Sequence, residues 1–268
     1  MDFSVLMSVY YKEHPSYLKQ SLNSIWNQTV RPTEIVLVKD GPLTPQLDKV
    51  IDDVIAKMPI RIVRLSKNMG LGIALNTGLE ECSFDIVARM DSDDISKKDR
   101  FEKQLNYFSA NPKADVVGSW VDEFYDNIDH VVGQRRVPEN NCEIIKYAKQ
   151  RSPMNHPTVM FRKSAVIAAG GYLHMPLYED YYLWIRMLSN GSQFYNIQES
   201  LLFFRTSPDL YKRRGGIQYV KYDYNFQKLL VSQKLQSKFQ ALLNLVIRVP
   251  IRIIPNSLRG MLYRLLRR

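Results

Sequence analysis

Four short apolar runs, each separated from the next by a longer stretch of helical periodicity, fill the first 108 residues and restrict the fold more than any other feature. The runs span residues 3–9, 34–38, 61–65 and 84–90. Between them, residues 15–26 set Leu18, Leu22, Ile25 and Trp26 at helical spacing, with Pro15 at the first turn. Residues 47–55 do the same with Leu47, Val50, Ile51, Val54 and Ile55, and residues 70–81 and 100–108 read as two more helices. Strands that alternate with helices predict an α/β fold, a mostly parallel sheet flanked by helices on both faces. The second half is less regular. Residues 116–125, 129–137, 158–162, 194–197 and 201–204 read as strands, 181–188 and 217–230 as helices.

A length of 268 residues suits one large domain, or one domain with an appendage. Cys82 and Cys142 are too few for a disulfide framework, so a reducing compartment is expected. The first residues carry no basic leader, so no signal peptide is expected. No run reaches about 18 uninterrupted apolar residues, the length a spanning helix needs. Charge is uneven. The net charge is +10, and after Asp223, the last acidic residue, come nine Lys and Arg residues. A near-neutral body with a basic tail points to a polyanionic surface as partner. The expected division is a catalytic domain over residues 1–210 and a basic helical extension over residues 211–268.

Met90-Asp91-Ser92-Asp93-Asp94 ends the fourth run with three carboxylates in four residues. Like charges this close cost free energy unless a cation or ligand offsets them. A hard divalent ion, shared with substrate phosphates, is the usual solution. On these five residues alone a solvated turn explains the pattern equally well. Topology favours the site. Ligands of an open parallel sheet bind outside the carboxyl ends of its strands. Ser8, Asp40 and Asp91 with Asp93 end the first, second and fourth predicted strands. Asp40 alone would be a turn residue beside Gly41, and Ser8 alone would mean nothing.

Competing motifs fail on particular residues. An EF-hand loop from Asp91 would need an oxygen ligand at Ile95 and a glycine at Ser96. Gly70-Leu71-Gly72 starts a dinucleotide fingerprint, but Leu75 occupies its third glycine position, so 70–78 reads as a helix packed closely on the sheet. A phosphohydrolase with Asp91 as nucleophile stays as an alternative. It would want a hydroxyl at Ile95 and a later Gly-Asp pair, which the chain lacks. A non-catalytic nucleotide-sugar or nucleic-acid binding protein is the other alternative. His14, His130 and His174 have no metal-ligand spacing. His156 reads as a turn or core histidine, with an acceptor contact as the alternative. Tyr178, Tyr181, Tyr182 and Trp184 offer rings for stacking on a sugar, but Tyr181, Trp184 and Ile185 share a helical stripe that favours core.

Together these segments resemble the family 2 nucleotide-sugar glycosyltransferases of the GT-A fold. The resemblance rests on residues 4–10, 18–29 and 34–41, on Asn68-Met69-Gly70-Leu71-Gly72, and on Arg89-Met90-Asp91-Ser92-Asp93-Asp94. It continues through Asn155-His156-Pro157-Thr158, Gly170-Gly171-Tyr172 and Glu179-Asp180-Tyr181-Tyr182-Leu183-Trp184. A segment over residues 211–216 is similar to that of bacterial exopolysaccharide and O-antigen transferases. The resemblance implies that Ser8 and Asp40 sit against the uracil and ribose of a UDP-sugar, with Tyr10, Asn68 and Gly70 also on the nucleotide sugar. Asp91 would bind ribose or order the metal site. Asp93 would ligate Mn²⁺ or Mg²⁺, supported by Asp94. Asp180, beside Glu179, would take the proton from the acceptor hydroxyl, with inversion at the sugar. His156, Glu179 and Trp184 would line or support the acceptor side, and Arg205, Arg213 and Arg214 would clamp diphosphate or be surface charges. Lys39 departs from the acidic pair often seen there and is expected to face phosphate or solvent. The Gln-x-x-Arg-Trp motif of processive synthases is absent, which favours addition of one sugar.

In the tail, Leu242, Leu245, Val246 and Val249 interleave with Arg248 and Arg252, and Leu258, Leu262 and Leu265 with Arg259 and Arg264. Pro250 and Pro255 are expected to break it into short helices. This is the profile of interfacial helices on anionic lipid. Packing on the domain is the alternative. Nucleic acid is not expected, since Tyr263 is the tail's lone ring for base stacking among residues 241–268. The enzyme is thus expected on the inner face of the cytoplasmic membrane, acting on a lipid-linked saccharide.

Overall fold

In a computed structural model that describes residues 1–207 and 215–254, the strands join into one mixed sheet covered by helices on both faces. Strands β1 (Ser4–Val9), β2 (Glu34–Lys39), β3 (Ile60–Arg64) and β4 (Ile86–Asp91) run parallel in the order β3-β2-β1-β4. The crossovers are α1 (Pro15–Trp26), α2 (Pro45–Ile55) and α3 (Leu71–Glu81). Proline opens α1 and α2, where its missing amide costs no helical bond, and Thr44 caps α2 by accepting the Leu47 amide at 3.3 Å.

The sheet has a core on each face. Val5, Met7 and Val9 of β1 pack with Leu18 and Leu22 of α1 and Leu47 and Ile51 of α2. Leu6 faces the other way, toward Ala74, Leu75 and Leu79 of α3. Successive side chains of a strand point to opposite faces, so a strand covered twice must be apolar in both registers. Each such side chain contributes roughly 1.5–3 kcal/mol when fully buried. A Cβ at Gly78 would come within 2.5 Å of both Leu6 and Val38, so α3 lies as close to the sheet as a bare backbone permits. Of the glycines in 70–78, Gly78 serves this packing, while Gly72 faces Glu179 and Tyr172.

Beyond β4 the sheet changes direction. The elements here are β5 (Ile95–Ser96), α4 (Arg100–Ala110), β6 (Val116–Phe124), β7 (Val131–Arg135), α5 (Asn141–Ala148), β8 (Met160–Arg162), α6 (Lys163–Ala168), α7 (Glu179–Ser189) and β9 (Phe194–Arg205). β8 lies antiparallel between β4 and β6, β9 runs parallel to β6, and β5 and β7 pair antiparallel with β9 and β6. Residues 194–197 and 201–204, expected as two strands, are one. Ile197 pairs with Ser119 and Ser200 with Trp120, so exposed Gln198 and Glu199 bulge from a continuous strand. α5, α6 and β5 were not predicted. Each is short, and α5 buries only Ile144 and Ala148, too little to show a stripe.

Two helices follow, α8 (Ile217–Ser232) and α9 (Lys238–Ile253). Pro250 does not break the tail as expected. It sits inside the last turn of α9, which continues to Ile253, and the Ile254 amide donates to the Pro250 carbonyl at 3.2 Å. A proline there removes one amide near the helix end, and packing against α8 sustains the rest. Pro255 lies outside the described residues. Both helices dock on the body. Phe226 and Leu230 of α8 are buried against Tyr181, Tyr182 and Ile185 of α7, and Asn244 of α9 donates to the Lys149 carbonyl at 2.9 Å. No described helix is long and apolar enough to cross a membrane.

Candidate active site

The register of the central strands fixes the site. Ser8 is the partner of Val38 on β2 and of Asp91 on β4, so the strand ends named by the sequence meet at one sheet edge. The Asp91 carbonyl accepts the Ser21 hydroxyl of α1 at 2.7 Å, which anchors the end of β4.

Past that anchor, carboxylate oxygens of Asp91, Asp93 and Asp94 lie within 4.8 Å of one another. Asp94 is completely buried. Its Oδ1 accepts the Arg205 amide at 2.8 Å, and its Oδ2 has no hydrogen-bond partner among the described residues. Burial, together with Asp93 and Asp91, holds the Asp94 carboxyl well above the usual carboxylate range. Asp93 is pushed up to about 7 by burial and by the charges of Asp91 and Glu13. The donor set is all carboxylate oxygen, includes a buried orphan, and keeps protons near neutral pH in the absence of another cation. A hard divalent cation fits it.

Asp40 finds its partners in the loop before α3. Its carboxylate accepts the Met69 amide at 2.6 Å and the Gly70 amide at 3.1 Å. It therefore ties the loop before α3 to the end of β2. Gly41, at φ +86°, lies against that loop, where a Cβ would come within 2.6 Å of the Asn68 nitrogen. Asn68 is exposed, its amide reaching the Asp40 carbonyl at 3.5 Å, and Gly70 has open space around its Cα. Tyr10 lies exposed just past β1, its ring edge-to-face with Tyr11. Lys39 is partly buried. It pairs with Asp48 of α2.

Glu179 and Asp180 form the first turn of α7. A Cβ on Gly72 of α3 would lie 3.5 Å from Glu179 Cγ, so the starts of α3 and α7 adjoin. Burial raises the Glu179 carboxyl, and Asp180 adds to it. Burial also raises Asp180, with Asp91 adding to it, while the Tyr181 amide and Arg89 pull it down. His156 Nε2 lies 3.0 Å from the Tyr172 hydroxyl, and burial with Arg89 nearby keeps the ring neutral. Trp184 is fully buried behind His156, ring centroids 5.9 Å apart, so its indole is core and cannot stack on a sugar. Tyr181 and Tyr182 are likewise buried.

Arg205 is tied into the body rather than left as a loose surface charge. Its Nε donates to the Asp93 carbonyl at 2.9 Å and its Nη2 to Gln20 at 2.6 Å, with the guanidinium 3.8 Å from the Tyr17 ring centre. Arg213 and Arg214 lie outside the described residues. Sequence reasoning missed Arg89 and Glu13. Arg89 is fully buried and pairs with Asp91, while its Nε and Nη1 have no partner among the described residues. Its signal was an arginine inside an otherwise apolar run. Glu13 accepts the Ser92 hydroxyl at 2.6 Å and carried no signal of its own.

The fold is that of a GT-A transferase. Staphylococcus aureus TarS superposes with a TM-score of 0.66 at 19% identity, over 94% of this chain and 43% of that one. The profile described as "Glycosyl transferase family 2" matches residues 4–168, and the chain belongs to that family. It is 41% identical over 262 residues to an Escherichia coli UDP-Gal:alpha-D-GlcNAc-diphosphoundecaprenol beta-1,3-galactosyltransferase, covering 98% of this chain and 95% of the relative. It is 40% identical to the amylovoran biosynthesis glycosyltransferase AmsE of Erwinia amylovora, covering 97% of each. The protein is a glycosyltransferase.

Proposed function

We propose that this enzyme moves one hexose from a UDP-sugar to a saccharide carried on a polyprenyl diphosphate, with inversion, in bacterial surface-polysaccharide synthesis. The observation that carries the reading is the acid cluster Asp91-Asp93-Asp94 at the end of β4, with a second, raised carboxyl, Asp180, heading α7 and sensing Asp91 and Arg89. The printed activity of the E. coli relative supports the donor and acceptor class.

In this reading Asp93, with Asp91 and Asp94, holds Mn²⁺ or Mg²⁺, which would neutralise charge growing on the leaving diphosphate. Ser8, Tyr10, Asn68 and Gly70 line the nucleotide side, and Asp40 shapes it by fixing the loop 68–70. Asp180 accepts the proton of the acceptor hydroxyl as that oxygen attacks the anomeric carbon, and the bond to UDP breaks with its electron pair leaving on the diphosphate. Such a base contributes about 10²–10⁴-fold. Neutral His156 and Glu179 border the acceptor side.

We divide the chain into a catalytic domain, residues 1–210, and a helical extension, residues 211–268, that rests on the inner face of the cytoplasmic membrane. Exposed Phe239, Leu242, Val246 and Ile253 of α9 support that contact. Arg248 and Arg252 serve Asp223 instead of lipid. UDP release from a panel of UDP-hexoses with Mn²⁺ and a lipid-diphosphate saccharide tests the function. UDP-galactose comes first, given the relative's name. Acceptor-dependent release with one donor is expected; release from none would refute it.

A further inference from the structure

Asp223 is completely buried on α8 and joins three elements. From α9, Arg252 Nε donates to its Oδ2 at 2.9 Å and Arg248 Nη1 to its Oδ1 at 3.1 Å. From the residue capping α7, the Tyr178 hydroxyl donates to Oδ1. One turn along α8 from Asp223, Phe226 stacks on the Tyr178 ring, with centroids 4.6 Å apart and planes 7° apart. Tyr178 is thus gripped at both its face and its hydroxyl by the extension.

The grip falls at a strained point. Leu177, directly before Tyr178, has φ +71°. A leucine occupies that left-handed region only where its surroundings impose it. The Tyr178 amide donates to the Met175 carbonyl at 2.8 Å, which closes the turn from within. Glu179 and Asp180 follow at once, so the direction in which the chain leaves Leu177 sets where Asp180 stands.

We propose that the Asp223 knot aligns the general base: Asp223 and Tyr178 are positioning residues that hold the start of α7 so that Asp180 meets the acceptor hydroxyl. The inference rests on Asp180 as that base. Transfer needs reacting atoms about 3–3.5 Å apart, and a misplacement of about 1 Å costs on the order of 10²-fold. The knot also explains why the last acidic residue of the chain is matched to two tail arginines, since it couples the extension to the reacting centre.

The test compares full-length wild type, Tyr178→Phe, Arg252→Gln and Asp180→Asn. Tyr178→Phe keeps the ring on Phe226 and removes only the hydroxyl. Arg252→Gln loosens the knot from a distance. The readouts are kcat and donor KM for transfer, with UDP-binding stoichiometry by calorimetry. Both knot variants are expected to bind UDP at full stoichiometry with unchanged donor KM. In Tyr178→Phe kcat should fall about 10-fold or more, and in Arg252→Gln less but in the same direction. Unchanged kcat in either variant, or kcat lost only in proportion to UDP sites, overturns the proposal. An active Asp180→Asn instead overturns the base assignment beneath it, so the two failures are distinguishable.

Discussion

Asp94 Oδ1 accepts the backbone amide of Arg205 at 2.8 Å, joining the end of β9 to the loop after β4. Arg205 Nε holds the Asp93 carbonyl from the same side. The acidic loop is therefore pinned from outside while its carboxylates converge. Such a cluster binds protons or a cation, and the two compete.

That competition sets a pH window. Folded, Asp93 titrates at about 7, against an ordinary value near 4 in the unfolded chain. Without bound metal the folded state holds more protons between these values, so stability falls as pH rises from roughly 4 to 7. Mn²⁺ replaces the proton, so the rise in melting temperature that Mn²⁺ causes should grow across that window. It should vanish in Asp93→Ala. A Mn²⁺ effect independent of pH in thermal melts would contradict this.

Asp180 gives a second dependence. Its carboxyl is raised, chiefly by burial. A base must be deprotonated, so kcat should drop as pH falls through a value above the ordinary aspartate range. A kcat–pH profile with its acid limb at or below about 4 would contradict that.

Gly78 tests the packing of α3. Gly78→Ala puts a methyl group against Leu6 and Val38. It should destabilise the fold by about 1–3 kcal/mol in urea unfolding. A neutral effect would mean that α3 can move off the sheet freely.

Much of this was legible in the sequence, and the reasons are local. The first four strands and their helices agree within about two residues, because burial on both faces demands apolar runs that only α/β crossovers separate. The meeting of Ser8, Asp40 and Asp91 was legible because parallel strands place their carboxyl ends on one edge. The partners of these residues were not. Nothing near Asp40 in the chain shows that its carboxylate takes the amides of Met69 and Gly70. Arg205 lies 111 positions from the Asp94 it serves. Arg248 and Arg252 looked like lipid contacts because their partner, Asp223, belongs to another helix.

The outer face of α9 predicts a separable function. Leu242 and Val246 are each 61% exposed. Leu242→Glu with Val246→Glu should abolish binding to anionic vesicles and shift stability by no more than about 0.5 kcal/mol per site. Undiminished vesicle sedimentation would rule out this face as the contact.

The central claim is the role of Asp180, and one comparison bears on it most directly: transfer rate and UDP affinity in Asp180→Asn. The expected result is transfer reduced about 10²–10⁴-fold with UDP affinity intact. Transfer at the wild-type rate, or loss of UDP binding together with transfer, would contradict it.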